Sequence, residues 1–206
     1  MKKQLFGLAL LSLAMAAFVH PRADAQAPAD WPVFTADGKL QRPDNYREWI
    51  YLTSGLGMTY GPTQPTSGQP RFFDNVFVTR DAYRGFMQTG KWPEGTMLVL
   101  EIRRSAQNAS IDNGGQTQAA RVTIEVEVKD SARFPDTGWG FFDFSGTPDL
   151  ATTAARLPLT ASCYACHKNN TAVENTFVQF YPTLMEVAQR LGTVKPTYDP
   201  SHKVSQ

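Results

Sequence analysis

The stretch Arg121-Val122-Thr123-Ile124-Glu125-Val126-Glu127-Val128-Lys129 alternates between apolar and polar residues. Alternation with a period of two is typical of a β-strand that buries one face. The valines and the isoleucine form one face of this strand, whereas Thr123, Glu125 and Glu127 form the other. The interpretation favoured by the pattern is that the two glutamates point to solvent. The stretch therefore predicts a half-exposed β-strand.

Other strand-like segments lie on both sides of it along the chain. Residues 75–78, 97–102 and 139–144 are dense in branched and aromatic side chains. A polar segment with the turn Asn113-Gly114-Gly115 separates 97–102 from 121–129, which predicts a hairpin. Strands that follow one another in this way predict an α+β fold, mainly antiparallel β sheet with a few flanking helices.

Three segments predict the flanking helices. Residues 46–52 form the first, and a short helix ending at Gly90 forms the second. Residues 176–191 form the third, with a break or a new start at Pro182 because proline lacks the N–H that a helix interior needs. Residues 57–71 are rich in glycine and proline and predict a loop.

The N-terminus has the character of an export signal. A short basic start precedes an apolar run over residues 5–19, and Ala23-Asp24-Ala25 offers small residues to a signal peptidase. We expect residues 1–25 to be a signal peptide cleaved after Ala25, because the run is short for a membrane span. The mature protein is then expected in the periplasm, with no membrane association.

Near the C-terminus the chain reads Cys163-Tyr164-Ala165-Cys166-His167. C-x-x-C-H is the attachment signature of a c-type haem, in which the two thiols join the porphyrin and the imidazole binds the iron. The motif predicts one covalent haem c, held by Cys163 and Cys166, with His167 as the iron ligand. A redox-active dithiol and half of a zinc site are the alternatives. The chain has only two cysteines, so a zinc site would lack its second pair.

These features divide the chain into four parts. The signal peptide is followed by an irregular lead-in over residues 26–44, a haem-binding domain over 45–195 and a flexible tail over 196–206. The whole chain carries 20 Lys and Arg against 19 Asp and Glu, without a basic run. This balance excludes the electrostatic footprint of a nucleic-acid-binding protein.

The second axial position of the iron has two candidate occupants. Methionine is the usual sixth ligand of electron-transfer cytochromes, and Met58 lies in a glycine-rich segment that could present its thioether. The alternative is an open position capped by some of the many phenylalanines. An apolar cap would admit a small uncharged molecule and disfavour anions, because burying an unpaired charge is costly.

Several segments together resemble the cytochrome P-460 family, which includes the cytochromes c-prime-beta. They are Tyr46-Arg47-Glu48-Trp49, Gly90-Lys91-Trp92-Pro93-Glu94-Gly95-Thr96, Trp139-Gly140-Phe141-Phe142-Asp143-Phe144 and the late C-x-x-C-H motif. The resemblance implies a mostly β domain with one five-coordinate haem c, often in a homodimer.

The resemblance also implies a division of function. Cytochrome P-460 oxidises hydroxylamine and carries a lysine–porphyrin bond, whereas the c-prime-beta branch lacks the bond and binds nitric oxide in a phenylalanine-capped pocket. The linking lysine is expected within residues 97–102, which contain none; Leu100 stands in its place, and Lys91 comes earlier. The distal pocket candidates are Phe72, Phe77, Leu100 and Phe142.

The leading expectation is a periplasmic monohaem cytochrome that binds nitric oxide or a related small nitrogen ligand at an open iron site, with or without redox turnover. One alternative is an enzyme that oxidises hydroxylamine or nitric oxide through a lysine–haem cross-link, with Glu125 as the distal base. The other is an electron-transfer cytochrome with Met58 as sixth ligand. A redox partner cytochrome and a homodimer are the expected protein partners.

Overall fold

The computed structural model describes residues 30–59, 71–107 and 110–201. The strands in these ranges are β1 (Leu40–Gln41), β2 (Ile50–Leu56), β3 (Phe72–Val78), β4 (Met97–Ala106), β5 (Thr117–Lys129), β6 (Trp139–Asp143) and β7 (Thr153–Ala154). The helices are α1 (Arg80–Thr89), α2 (Ser162–Asn170) and α3 (Pro182–Leu191), with 3-10 turns at Tyr46–Glu48 and Val178–Phe180.

The main sheet is an antiparallel meander. Its five strands lie in the order β2-β3-β4-β5-β6, so each strand pairs with its neighbour in the chain. Strands β1 and β7 form a separate two-stranded sheet. The architecture confirms the predicted α+β fold with mainly antiparallel sheet.

The main sheet buries both of its faces. On one face, Val99 and Val126 pair across the strands and pack with Tyr46, Trp49 and Phe134. On the other face, side chains of the sheet pack against α1 and α3; this cluster includes Val78, Leu98, Phe141, Phe86 and Leu184. The candidate site lies on this second face.

The burial of the second face corrects the prediction for β5. Ile124, Val126 and Val128 are buried as predicted, but Glu127 is only 8% exposed and Glu125 is half-buried. The prediction that both glutamates point to solvent is wrong, because helices and loops cover that face as well. Val122 is exposed because β6 pairs only with residues 125–129 of β5.

Residues 46–52 do not form the predicted helix. A single 3-10 turn over Tyr46–Glu48 leads directly into β2, in which Ile50 pairs with Val78. The buried side chains of Tyr46 and Trp49 fix the turn against the sheet. Pairing with β3 thus overrides the local helical pattern, as tertiary context commonly does.

The other predicted helices are confirmed. Helix α1 ends at Gly90, whose φ of 68° allows the left-handed cap that closes the helix. Helix α3 begins at Pro182 and ends at Gly192, with a φ of 67°. Proline is tolerated at the first helical position because that N–H has no partner within the helix.

No helix among the described residues is both long and apolar enough to cross a membrane. The predicted signal peptide and residues 60–70 of the predicted loop lie outside the described residues. Strand β1 lies within the predicted lead-in of residues 26–44. The four-part division of the chain stays a prediction.

Candidate functional site

A cavity of about 540 Å³ lies between the second face of the sheet and helix α2. Its volume falls in the range of cofactor and ligand sites, about 300–1,000 Å³. Strands β3 to β6 contribute residues to one side of the lining, and α2 and the segment 177–181 contribute others. Apolar side chains of the sheet, Val76, Leu98 and Leu100, contribute to its wall.

Helix α2 carries the C-x-x-C-H motif, and Cys163, Cys166 and His167 all line this cavity. Positions i, i+3 and i+4 of a helix share one face, which explains why the three side chains converge. Both thiols are unbridged. The residues present therefore fit a haem c, which needs two thiols and one imidazole directed into an apolar cavity.

The two alternative uses of the cysteines fit less well. Burial, together with the charge of Glu125, raises the pKa of Cys163, whereas a redox-active Cys-x-x-Cys has a lowered thiol pKa. The described residues contain no group of three or more Cys, His, Asp or Glu side chains placed to hold a metal ion. Neither a dithiol nor a structural zinc site is supported.

The ring of His167 is held by contacts on several sides. Its Nδ1 lies 2.6 Å from the carbonyl oxygen of Asn175, and the rings of Phe141 and Phe177 contact it edge-on at 4.5 and 4.6 Å between centroids. When Nδ1 donates its proton to a carbonyl, Nε2 carries the lone pair that a metal needs. The carbonyl contact thus favours the tautomer in which Nε2 is the nitrogen left for a metal.

A carboxylate lies beside the same nitrogen. Oε2 of Glu127 is 3.3 Å from Nδ1 of His167. Burial lowers the pKa of His167, but Glu127 and the carbonyl of Asn175 raise it, so that it ends above its usual value. The imidazole therefore sits in an electronegative environment.

The loop that follows α2 is fixed by contacts from the rest of the fold. Trp92 donates to Thr176 at 2.8 Å, and Lys129 forms a salt bridge of 2.9 Å with Glu174. Thr171 also donates to the carbonyl of Glu174 at 2.9 Å. These contacts hold the Asn175 carbonyl in position for His167. No recognisable motif marks this loop in the sequence, so its role could not be predicted.

Four carboxylates line the cavity: Asp74, Glu125, Glu127 and Asp143. Burial raises the pKa of Asp74 to about 6, and burial together with the charge of Asp143 raises the pKa of Glu125. Glu125 and Asp143 are cross-strand partners in β5 and β6. The described lining includes no lysine or arginine. The cavity is consequently negative.

The structure brings most of the predicted site residues together. Glu125, Leu100 and Met58 line the cavity with the three residues of the motif. Phe142 also contributes to its wall, but its ring packs with Phe34 and Phe134 at centroid distances of 6.0 and 6.1 Å in the opposite core.

Two of the predicted pocket residues lie elsewhere. Phe77 packs its ring against Tyr46 and Tyr51, on the face of the sheet away from the cavity. Phe72 begins β3, is 36% exposed and contacts Arg104. Successive side chains of a strand point to opposite faces, so Val76 rather than Phe77 reaches the cavity. Neither Phe72 nor Phe77 is among the described residues that line this cavity.

Other aromatic rings occupy the cavity wall instead. Phe141, Phe177 and Phe180 line it, and the last two are stacked with their centroids 5.7 Å apart. Phe141 lies in a segment that the sequence predicted as a strand. No sequence pattern assigned Phe177 or Phe180 to the pocket. Their proximity to the motif depends on the turn at Val178–Phe180, which no local pattern predicted.

Several arginines of the described residues have partners away from the cavity. Arg47 and Arg103 both pair with the fully buried Glu101, at 2.6 and 2.8 Å, on the face opposite the cavity. Arg84 pairs with Asp81 on the surface. Lys91 is exposed and does not line the cavity.

Comparison with protein families gives a match. The family model described as Cytochrome P460 matches residues 43–178, more than half of the chain, and the matched region includes the C-x-x-C-H motif. No curated protein gives a significant match.

Proposed function

We propose a specific ligand chemistry for this chain, which belongs to the cytochrome P460 family and is therefore a haem-binding c-type cytochrome. The chain binds nitric oxide or a related small nitrogen compound at an open iron position of one covalent haem c. Cys163 and Cys166 would hold the porphyrin by thioether bonds, and Nε2 of His167 would bind the iron. The haem supplies a metal centre that coordinates the ligand. Export by the predicted signal peptide would place this function in the periplasm.

The apolar wall of the cavity carries this proposal. Val76, Leu98 and Leu100 line the space that also contains the motif. Such side chains neither ligate iron nor hydrogen-bond to a bound molecule, so they leave room for a small uncharged ligand. Leu100 stands where the resemblance to cytochrome P-460 expects the cross-linking lysine, which favours a haem with only two covalent attachments.

Redox turnover of the ligand is the second candidate function, and Glu125 is the observation that favours it. The side chain lines the cavity, and burial together with the charge of Asp143 raises its pKa above the ordinary value of a glutamate, as suits a proton acceptor. Oxidation of hydroxylamine releases protons that such a base would accept. No lysine lines the described cavity, so this turnover is proposed without a cross-link.

The first test is the absorption spectrum of the ferrous protein before and after nitric oxide, with the mass of the haem peptide. A high-spin spectrum that changes with nitric oxide, together with two thioether links, is expected. A third covalent link would restore the cross-linked enzyme.

Met58 requires its own arm of the test, because it also lines the cavity. The variant Met58→Leu keeps the volume and removes the thioether. A low-spin wild-type spectrum that becomes high-spin in Met58→Leu would contradict the open site and identify an electron-transfer cytochrome. Identical high-spin spectra of both proteins are expected.

The expected partners belong to the same proposal. A homodimer would sediment with twice the mass of one chain. A redox partner cytochrome would exchange electrons with this protein faster than two copies of this protein exchange electrons with each other.

A further inference from the structure

We infer that Glu127 is a positioning residue that gives negative character to the His167 imidazole and thereby favours ferric over ferrous iron. The inference goes beyond ligand binding, and it rests on His167 being the iron ligand in the proposed function.

The carboxylate of Glu127 is buried and incompletely paired. The residue is 8% exposed, and its Oε2 makes no hydrogen bond with any described residue. The atom nevertheless lies 3.3 Å from Nδ1 of His167, whose proton is directed at the carbonyl of Asn175. A buried carboxylate oxygen without a hydrogen bond of its own is costly, so the Nδ1–H edge of His167 is the polar group that compensates it most directly.

Nearby cations do not neutralise this carboxylate. Lys129 lies two residues further along β5, but its ammonium group bonds Glu174 and the carbonyl of Trp92 at 2.6–3.0 Å. The described cavity lining contains no other basic side chain except His167 itself. The charge of Glu127 therefore acts on the imidazole and on the metal that the imidazole binds.

The position of Glu127 is fixed by the sheet. It pairs with Leu98 on β4 and with Phe141 on β6, so its backbone is held from both sides. The ring of Phe141 contacts His167, which keeps the imidazole close to the carboxylate. The arrangement is rigid enough to act on the metal without any conformational change.

The electrostatic consequence has a definite sign. Ferric haem carries one positive charge more than ferrous haem, so a buried negative charge stabilises the ferric state more. Carboxylates beside ligating histidines also raise the basicity of the imidazole. Both effects lower the reduction potential and strengthen the iron–imidazole bond.

The test compares Glu127→Gln with Glu125→Gln in the haem-loaded protein. Both residues lie on the same face of β5 and line the cavity, but only Glu127 contacts His167. Glu127→Gln is expected to shift the ferrous/ferric equilibrium about tenfold toward ferrous, which corresponds to about 59 mV for one electron. It is also expected to lower the iron–imidazole stretching frequency of the ferrous protein. Glu125→Gln should leave that frequency unchanged and move the potential less.

Equal potentials and equal frequencies in wild type and Glu127→Gln would overturn the inference. An equal shift of the potential in both variants, with no change in frequency, would also overturn it and indicate a general effect of cavity charge. A low-spin ferrous spectrum would reject the open site of the proposed function instead, and the potential of Glu127→Gln would then decide this inference alone.

Discussion

Single carboxylates determine the electrostatic character of the cavity. Asp74 and Glu125 are half-buried side chains without a salt bridge among the described residues, and both have a raised pKa. Glu127 is more deeply buried, beside His167. A site with this charge is suited to neutral or positively charged ligands, because an anion would enter against an unscreened field.

Asp74→Asn is expected to stabilise the protein at neutral pH. Burial raises the pKa of Asp74 from its ordinary value to about 6, so the folded state holds this proton more tightly than the unfolded state does. The penalty for the charged carboxylate is absent below about pH 4 and fully present above about pH 6. The gain is about 1 kcal/mol, because the side chain is partly solvated.

Chemical unfolding at pH 4 and at pH 7.5 measures this effect. Glu186→Gln, an exposed position on α3, is the matched control. A gain for Asp74→Asn that is equal at both pH values would contradict the burial of an ionisable Asp74.

Azide is expected to bind the ferric protein weakly, and Glu125→Gln is expected to tighten that binding. Removal of one charge in a partly buried site changes the energy of an anion by on the order of 1 kcal/mol, or roughly three- to tenfold in affinity. Spectroscopic titration at low ionic strength measures the change, with Glu186→Gln as control. An unchanged azide affinity would show that Glu125 is neutral or far from the ligand.

At the scale of the element, one arginine ties helix α2 to the rest of the fold. Arg156 donates to the hydroxyl of Tyr164, inside the motif, at 2.8 Å. It also forms a bidentate salt bridge with Asp136, with N–O distances of 2.8 and 2.9 Å. The guanidinium group thus connects the helix that carries the motif to the turn that precedes β6.

Arg156→Ala is expected to destabilise the protein by about 2 kcal/mol, since partly buried hydrogen bonds to a charged group are lost. Arg84→Ala removes an arginine whose side chain is 73% exposed and should cost less than about 0.5 kcal/mol. Denaturant titration of the haem-loaded variants distinguishes the two. Equal losses would mean that Arg156 contributes no more than a surface ion pair.

At the scale of the whole molecule, the sheet separates a packed core from the cavity. Ile124 is fully buried among the side chains of the first face, while its neighbours Thr123 and Glu125 belong to the second. Ile124→Ala should lower the free energy of unfolding by about 3 kcal/mol through the cavity it creates. The absorption spectrum and its response to nitric oxide should stay unchanged. A changed spectrum would show that the two faces are not independent.

Local patterns predicted much of this arrangement. The alternation in β5, the glycine stop at Gly90 and the C-x-x-C-H spacing depend only on neighbouring residues. The partner of His167 could not be found in this way, because Glu127 lies forty positions earlier and meets it only through the fold. The same alternating pattern fits a strand whose polar face meets water or a cavity, so the sequence left the role of Glu125 and Glu127 open. Phe77 and Phe141 could be assigned to different faces only once the register was known.

The meander also has a consequence for the order in which the chain folds. Every strand of the main sheet pairs with its sequence neighbour, and contacts of short sequence separation form quickly. The strands that line the cavity lie before the motif, so during vectorial emergence of the chain they are available first. We therefore expect the sheet to act as a template on which the thiol-bearing segment, followed by helix α3, arrives after the strands have paired.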